Sequence, residues 1–267
     1  PLSNSPMVMA GASGPVTLAG SLALCNAEVL MAAALIYLMN PNIPYGYAGI
    51  PYIMDMRTTL CSFGAPEQVL FSLARIQLAR YYGFAAKAEV GANDPVLEDI
   101  DPGDSSLPDF QGGFEKGVRS AMALAAGAES VGGFGMVGAD QGVSLDQLVI
   151  DNEMMSYMTR VRKGFEINEE TLALDLIKEI GIGGSFLGSR HILRHLRQEH
   201  WFPKIFNRDR WETWRMKGGK DTLDRAHVQL EKILKDHYPP EPMLDKDQIE
   251  RLDCIYREAK RALIPKK

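Results

Sequence analysis

Aromatic, acidic and amide side chains follow the predicted strands of this chain. One such segment, YGYAGIPYIMDMRTTLCSFGAPEQ (residues 45–68), carries tyrosines, an aspartate and an arginine ahead of a predicted helix. Loops after parallel strands form the functional face of a sheet or barrel, so these side chains are expected to converge on one rim. The candidates are Tyr45, Tyr47, Asp55 and Arg57 after strand two, Glu89 and Asn93 after strand three, Asp109, Gln111 and Glu115 at the next helix start, and Phe134 with Met136 near strand four.

Carboxylates and aromatic rings on one rim favour a cationic ligand. An aromatic face attracts a quaternary ammonium group by about 0.5 to 2 kcal/mol per ring, depending on desolvation. A nearby carboxylate adds a Coulomb attraction. We assign Glu89 and Asp109 as candidate catalytic carboxylates and the other candidates, apart from Met136, as substrate-binding groups.

Each candidate also has a plainer structural explanation. The two tyrosines fit interior packing, and Asp55 with Arg57 fits a local salt bridge that orders its loop. Asp109 stands at a predicted helix start, where a negative charge is favourable in any case. Glu89 is harder to explain structurally, because a lone carboxylate on an apolar strand is costly to bury without a partner.

Metal and nucleophile chemistry find little support in the sequence. His191 and His195 are spaced to share a helical face, as metal-ligand pairs do, but three arginines stand nearby in residues 190–200 and no third ligand is in view. No GxSxG motif is present, and no Cys has a basic neighbourhood. We expect no bound metal.

The first two thirds of the chain alternate apolar strands with helices. Such repetition predicts parallel strands with right-handed crossovers, buried on both faces. The rest is helical and highly charged, which divides the chain into βα units over 1–165 and a helical region over 166–267. The predicted strands are 5–13, 43–50, 84–91 and 128–138, and the helices that follow them cover about 16–39, 66–82, 109–127 and 145–162, the last with a capping box at Ser144 and Gln147.

The number of βα units predicts a half barrel. Four units occupy about 160 residues here, where a complete (βα)8 barrel takes about 250 for eight. A small open sheet is the alternative architecture. The fold class is therefore α/β, barrel-derived. The first residue is Pro1, which suggests that a longer polypeptide once continued upstream.

Charge and cysteine content limit the binding partners and the cellular compartment that fit this chain. The net charge of −5 argues against nucleic acid or an acidic membrane surface. Three scattered cysteines fit a reducing cytoplasm. Residues 16–39 approach the length of a membrane span, but Asn26 and Glu28 at their centre favour a buried core helix.

Four blocks of sequence resemble the trimethylamine methyltransferase superfamily. They occur in the same order as in that family and extend over nearly the whole chain. The family consists of longer (βα)8 barrels, and this chain resembles their C-terminal half. The blocks are GPVTLAGSLALCNAEVL, MDMRTTLCSFGAPEQ, LPDFQGGFEK and FLGSRHILRHLRQEHWFP.

The resemblance implies transfer of a methyl group from a methylated amine to the Co(I) of a corrinoid protein. Because every residue is a standard one, the chain looks like the branch without pyrrolysine, which includes glycine betaine methyltransferases. Arg57, Asn93 or Gln111 could then hold a substrate carboxylate. The implied partners are a corrinoid protein that carries the cobalamin, a small methylated amine, and either further copies of the chain or the missing barrel half.

Three alternatives stay open at this point. The chain could be a non-catalytic half of a split or truncated barrel. It could be another cobalamin- or pterin-linked methyltransferase with a different donor. It could also be a module that binds quaternary amines without chemistry.

Overall fold

A computed structural model describes residues 2–84, 97–98, 103–128, 130–237 and 243–263, and of residues 97–98 and 130–131 only the backbone. Within it the chain forms two compact units, Pro1–Val228 and Gln229–Lys267. The described helices are α1 (Leu18–Met39), α2 (Pro66–Tyr82), α3 (Phe110–Ala125), α4 (Leu145–Lys163), α5 (Glu169–Leu172), α6 (Leu174–Ile180), α7 (Arg190–Glu199), α8 (Trp211–Met216), α9 (Thr222–His237) and α10 (Lys246–Leu263). The described strands are β1 (Met9–Ala10), β2 (Tyr52–Met54), β3 (Cys61–Ser62), β4 (Leu97–Glu98), β5 (Ser130–Val131), β6 (Met136–Val137) and β7 (Gly142–Val143).

Two pairs of parallel strands are connected through helices. β1 pairs with β2 in parallel across α1, with Met9 opposite Tyr52. β4 pairs with β5 in parallel, and α3 lies between them in the chain. These are the β–α–β connections that the alternating pattern predicts. The (βα)8 architecture and the division at residue 165 stay predictions.

Two antiparallel hairpins depart from the predicted pattern. β2 pairs with β3, with Ile53 opposite Ser62, and β6 pairs with β7, with Met136 opposite Val143. The segment after β2 therefore folds back as a hairpin before it reaches α2, whereas the sequence predicted a loop running directly into a helix.

The bounds of two predicted strands were wrong. Within the segment 43–50 expected as a strand, Tyr45 makes a parallel bridge to Leu2, and strand β2 itself lies at Tyr52–Met54, after Pro51, which has no N–H to donate. The strand expected at 128–138 divides into β5 and β6, since Gly133 and Gly135 between them take positive φ of 72° and 77°. Of the strand expected at 84–91, residues 85–91 lie outside the described residues.

The predicted helices of the first 165 residues occur close to their expected positions. α2 begins at Pro66 and ends at Tyr82, and Gly83 after it has a φ of 67° that suits a glycine cap. Ser144 caps α4 by accepting a hydrogen bond from the Gln147 N–H. The Gln147 side chain turns inward instead of completing the expected capping box.

Helix α1 is long and apolar enough to cross a membrane by length and composition, with a mean hydropathy of 1.9 over its most apolar stretch. One face of it packs on the protein: Ser21, Cys25 and Val29 are buried. Asn26, at mid-helix, donates to the Tyr82 hydroxyl at 2.9 Å and accepts from the Tyr47 hydroxyl at 3.0 Å. These contacts attach one face of α1 to the rest of the described chain, but only 11% of its most apolar stretch is buried, so the buried core helix stays a prediction.

The facing sides of α2, α3 and α4 are unusually polar. Lys116 and Asp151 form a buried ion pair, Nζ to Oδ2 at 2.6 Å, with side chains 3% and 1% exposed. Asp151 also accepts from the Gln147 amide at 2.6 Å and from the Gly135 N–H at 2.8 Å. Five further polar side chains share this interior: Gln68, Ser72, Arg75, Arg119 and Ser120.

Removing one member of the buried pair should destabilise the fold strongly. We expect Asp151→Ala to lower the free energy of unfolding by about 3–5 kcal/mol, because Lys116 would stay buried without its anion. Urea denaturation followed by circular dichroism measures this change. The double variant Lys116→Met/Asp151→Leu should lose less free energy of unfolding than the two single variants lose in sum. A loss below about 1 kcal/mol for Asp151→Ala would contradict the structural role.

Candidate functional site

The turn after β3 and the segment before α3 meet at a carboxylate. Asp104 accepts a hydrogen bond from the Ser62 hydroxyl and another from the Phe63 N–H at 2.7 Å. These bonds bring residues 62–64 beside residues 103–109, although about 40 positions separate them in the chain. Asp104 is half-buried.

Glu115 projects from α3 into the same place. Its carboxylate accepts from the Asp104 N–H and from the Gln111 amide, both at 2.7 Å. Two glycines form the walls around it. A Cβ built on Gly64 would lie 2.3 Å from the Glu115 Cδ, and one on Gly103 would lie 2.5 Å from its Oε2. A side chain at either position would displace the carboxylate from the place it occupies here.

Asp109 begins α3 as its N-cap residue. Its carboxylate accepts from the Gly112 N–H at 3.0 Å and from the Ser105 hydroxyl at 2.7 Å. These bonds hold the pKa of the exposed Asp109 carboxyl below its ordinary value. Capping, the plainer explanation, is therefore what the structure shows for Asp109, and its catalytic role stays a prediction. We call Asp104, Asp109, Gln111 and Glu115 the acidic site.

The acidic site lacks a compensating cation among the described residues. In residues 2–84, 103–128, 132–237 and 243–263, no Lys, Arg or His nitrogen lies within 4.0 Å of the Asp104, Asp109 or Glu115 oxygens. Clustered carboxylates of this kind produce a negative potential at a partly exposed surface. The site is therefore suited to bind a cation.

The loop between β6 and β7 is hydrogen-bonded to the backbone of residues 103 and 105 beside the acidic site. The Gly138 N–H donates to the Ser105 carbonyl at 2.7 Å, and the Ala139 N–H donates to the Gly103 carbonyl at 3.2 Å. Ala139 and Asp140 have φ of 52° and 68°, which are unusual for residues other than glycine. Strained backbone of this kind is frequent at functional sites.

Comparison with known proteins decides the family. The Trimethylamine methyltransferase (MTTB) family matches residues 1–263. This chain belongs to the trimethylamine methyltransferase family. The resemblance inferred from the sequence is therefore confirmed.

Two curated relatives illustrate the match. The chain is 32% identical to a "Glycine betaine methyltransferase" of Desulfitobacterium hafniense (strain Y51) over 241 residues, 90% of this chain and 48% of that protein. It is also 32% identical to "Trimethylamine methyltransferase MttB" of Methanosarcina barkeri (strain Fusaro / DSM 804) over 262 residues, 98% of this chain and 50% of that one. The chain thus spans about half the length of these relatives.

The two candidate tyrosines of this family member lie in its core. Tyr45 and Tyr47 are 8% and 7% exposed and pack with Phe84 at ring-centroid distances of 5.4 and 6.2 Å. The Tyr45 hydroxyl donates to the Asn4 side-chain oxygen and also lies 3.2 Å from the Val29 carbonyl, and burial raises the pKa of both hydroxyls. Interior packing is what the structure shows for these rings, and their substrate-binding role stays a prediction.

Asp55 and Arg57 lie in the loop of the β2–β3 hairpin. Asp55 accepts from the Arg57 N–H at 2.7 Å and pairs with its guanidinium at 3.3 Å. The same bonds lower the pKa of Asp55. The Arg57 side chain is 90% exposed. The structure thus shows the local salt bridge that was the simpler explanation, with a free face of Arg57 open to solvent.

The other candidates divide into two groups. Glu89 and Asn93 lie outside the described residues. Phe134 is 36% exposed and stands next to Gly135, whose N–H donates to Asp151. Of the predicted residues, the structure brings Gln111 and Glu115 into contact, and Asp109 lies at the start of the same helix. Sequence reasoning missed Asp104, although the sequence DPGDSSLPDF around it is dense in acidic and turn-forming residues.

Histidine and cysteine chemistry gains no geometric support. The His191 and His195 rings lie with centroids 4.4 Å apart and are tilted by 38°, and His195 Nε2 lies 3.4 Å from Glu170 Oε1. No group of three His, Cys, Asp or Glu side chains in the described residues could hold a metal ion. Burial raises the pKa of the Cys25 thiol to about 12, so this thiol stays protonated at neutral pH.

Filling the wall of the acidic site should disturb Glu115. We expect Gly64→Ala to lower the free energy of unfolding by about 1–3 kcal/mol, because the added Cβ collides with the Glu115 carboxylate. Gly46→Ala is the matched control, since its Cβ would meet only the Ser3 Cβ at 3.9 Å. Thermal denaturation of both variants measures the difference. Equal stabilities of the two variants would show that Glu115 moves aside freely.

The lowered pKa of Asp109 makes the α3 cap dependent on pH. A carboxyl whose pKa is lower in the folded chain than in the unfolded chain stabilises the fold at pH values above its unfolded pKa of about 3.9. This stabilisation is lost as the pH falls through the pKa of the folded state. We expect Asp109→Ala to lower Tm at pH 7, and Asp109→Asn to keep most of the cap. The Tm advantage of the wild type over Asp109→Asn should disappear in acid. An advantage independent of pH would contradict the capping role of the charge.

Proposed function

We propose that this chain is part of a methyltransferase that moves a methyl group from a quaternary or tertiary methylated amine, such as glycine betaine, to the Co(I) of a corrinoid protein. The acidic site of a family member, with no compensating cation among the described residues, is the observation that carries the proposal. It provides the negative charge that a methylated ammonium group needs.

A quaternary ammonium donor fits the chemistry of such a site. Co(I) attacks the methyl carbon, the C–N bond breaks, and its electron pair stays on nitrogen to give a neutral tertiary amine. The leaving group therefore requires no proton and no covalent adduct with the protein. Binding, orientation and exclusion of water are what the protein has to supply.

The charge balance assigns the acidic site to binding. The ammonium nitrogen loses its positive charge as the C–N bond breaks, so a carboxylate attracts the bound substrate more than the transition state. An interaction of this kind lowers KM without raising kcat. Glu115 and Asp104 are therefore proposed to bind the donor. Glu89 and Asp109 stay candidates for a catalytic role.

The corrinoid is the second substrate of the proposed reaction and is carried by a separate protein. That protein has to reach the same loops, because the cobalt must contact the methyl group. Gln111 and the exposed guanidinium of Arg57 are the described donors that could hold a substrate carboxylate. A cytoplasmic location is proposed with this activity.

A companion half-barrel is a further part of the proposal. Helix α1 is apolar on all sides, a pattern typical of a helix that is buried all round. Met31, Leu35 and Leu38 on it are nevertheless 62%, 55% and 79% exposed. A second half of a (βα)8 barrel would cover them, and a chain that spans half of its relatives fits this arrangement. A non-catalytic half is the corresponding alternative.

Cation binding can be tested apart from catalysis. We expect the chain to bind choline more tightly than 3,3-dimethyl-1-butanol, a neutral isostere with carbon in place of the ammonium nitrogen. Glu115→Gln should weaken choline binding about five-fold, roughly 1 kcal/mol, and leave the isostere unchanged. Calorimetry measures both affinities, with Glu169→Gln on α5 as the control. Equal binding of the two ligands would contradict the charge argument.

The reaction itself is tested anaerobically. The chain is mixed with cob(I)alamin and with glycine betaine, proline betaine, carnitine, choline or trimethylamine, and methylcobalamin is followed by its visible spectrum. Formation from one quaternary amine, and none from trimethylamine, would support the proposal and name the donor. Binding without methylcobalamin would favour a binding module or a non-catalytic half.

A further inference from the structure

Helix α7 carries three arginines on its exposed side. Arg190, Arg194 and Arg197 stand at positions i, i+4 and i+7, a spacing that places them on one side of a helix and over about 10.5 Å of its length. All three residues are exposed. Within the described part of the chain, no Asp or Glu oxygen lies within 4.0 Å of their guanidinium nitrogens. We call these three residues the arginine stripe.

Contacts on the opposite side of α7 set its rotation. His191 and His195 are half-buried, and His195 Nε2 lies 3.4 Å from Glu170 Oε1. At the end of the helix, the Arg160 guanidinium on α4 donates to the Glu199 carbonyl at 3.1 and 2.5 Å. These contacts direct the histidine side of α7 toward the protein and leave the arginine stripe facing solvent.

The stripe belongs to a basic segment of an acidic chain. Residues 190–220 contain nine Lys and Arg and three Asp and Glu, a net charge of +6, whereas the whole chain has a net charge of −5. Two of the three acidic side chains are already paired, Glu199 with Arg160 at 3.7 Å and Asp209 with Lys217 at 2.9 Å. An exposed surface with this excess of positive charge attracts an anionic partner.

The stability of α7 does not explain the stripe. Like charges three and four residues apart repel each other along a helix. An apolar surface placed over the stripe would bury guanidinium groups without anions, which is costly. A guanidinium group donates two parallel hydrogen bonds to a carboxylate, so the stripe fits a partner that supplies carboxylates.

We propose that the arginine stripe is the docking surface for an acidic surface of a partner protein. Double-stranded DNA fits less well, because it carries one negative charge per about 1.7 Å along its whole length, and the residues outside 190–220 have a net charge of −11. A protein can place a limited group of carboxylates opposite the stripe alone. Complementary charges of this kind accelerate association and select the partner. This inference does not depend on the proposed reaction.

Fluorescence anisotropy with a labelled poly-L-glutamate peptide tests the proposal. We expect the 267-residue chain to bind the peptide at about 50 mM salt and to release it at about 500 mM, because salt screens exposed charges. Arg194→Glu should weaken binding about ten-fold, since it places a like charge opposite the peptide. Arg251→Glu is the matched control, because Arg251 is also an exposed helical arginine, on α10, and the net charge changes equally. Its affinity should stay within about two-fold of the wild type.

The same variant separates binding from folding. Arg194→Glu replaces repulsion by Arg190 and Arg197 with attraction, so the Tm measured by circular dichroism should not fall. Equal weakening by Arg194→Glu and Arg251→Glu would overturn the proposal, since only total charge would then matter. So would a wild-type chain that does not bind the peptide in low salt, or one that binds DNA more tightly. Self-association that Arg194→Glu abolishes would also overturn it and assign the stripe to a second copy.

Discussion

The buried ion pair between Lys116 and Asp151 sets the rotation of helix α3, and the acidic site depends on that rotation. Both side chains are almost fully buried, and Asp151 also binds Gln147 and the Gly135 N–H. Burying both charges costs desolvation free energy, which is offset only if their remaining hydrogen-bonding positions are also filled. Removing one partner destabilises the fold further, because the other charge stays buried alone. Successive helix residues are rotated by about 100°, so an inward Lys116 directs Glu115 to one side and Phe114 to the other.

Glu115 illustrates how little freedom the acidic site has. Its carboxylate fits between Gly64 and Gly103, which come from separate parts of the chain. It also accepts the Asp104 N–H, while Asp104 itself holds residues 62 and 63. The carboxylates are satisfied by neutral donors instead of described cations. Hydrogen bonds of this kind keep the charges in place without neutralising them, and a cationic donor can use that negative potential.

Much of the local structure could be predicted from the sequence, and the part that could not has physical causes. The bounds of α2 followed from Pro66 and from the spacing of apolar residues, because both act within a few positions. The β2–β3 hairpin was missed because alternation of strands and helices predicts parallel pairing, and nothing local in residues 55–60 excluded a plain loop. Tyr45 and Tyr47 were assigned to the rim, whereas their burial depends on contacts with α1 and with Phe84.

The sequence by itself determined the family, the order of most helices and the acidic character of the segment around residues 104–115. These properties reside in residue types and short spacings, which tertiary contacts do not change. Only the tertiary structure decided that Asp104 and Glu115 share one site and that α3 turns its charges inward and its phenylalanines outward. Periodicity shows that a helix has two different faces, but which face is buried depends on the partners it meets, here Asp151 on α4 and Ser72 on α2.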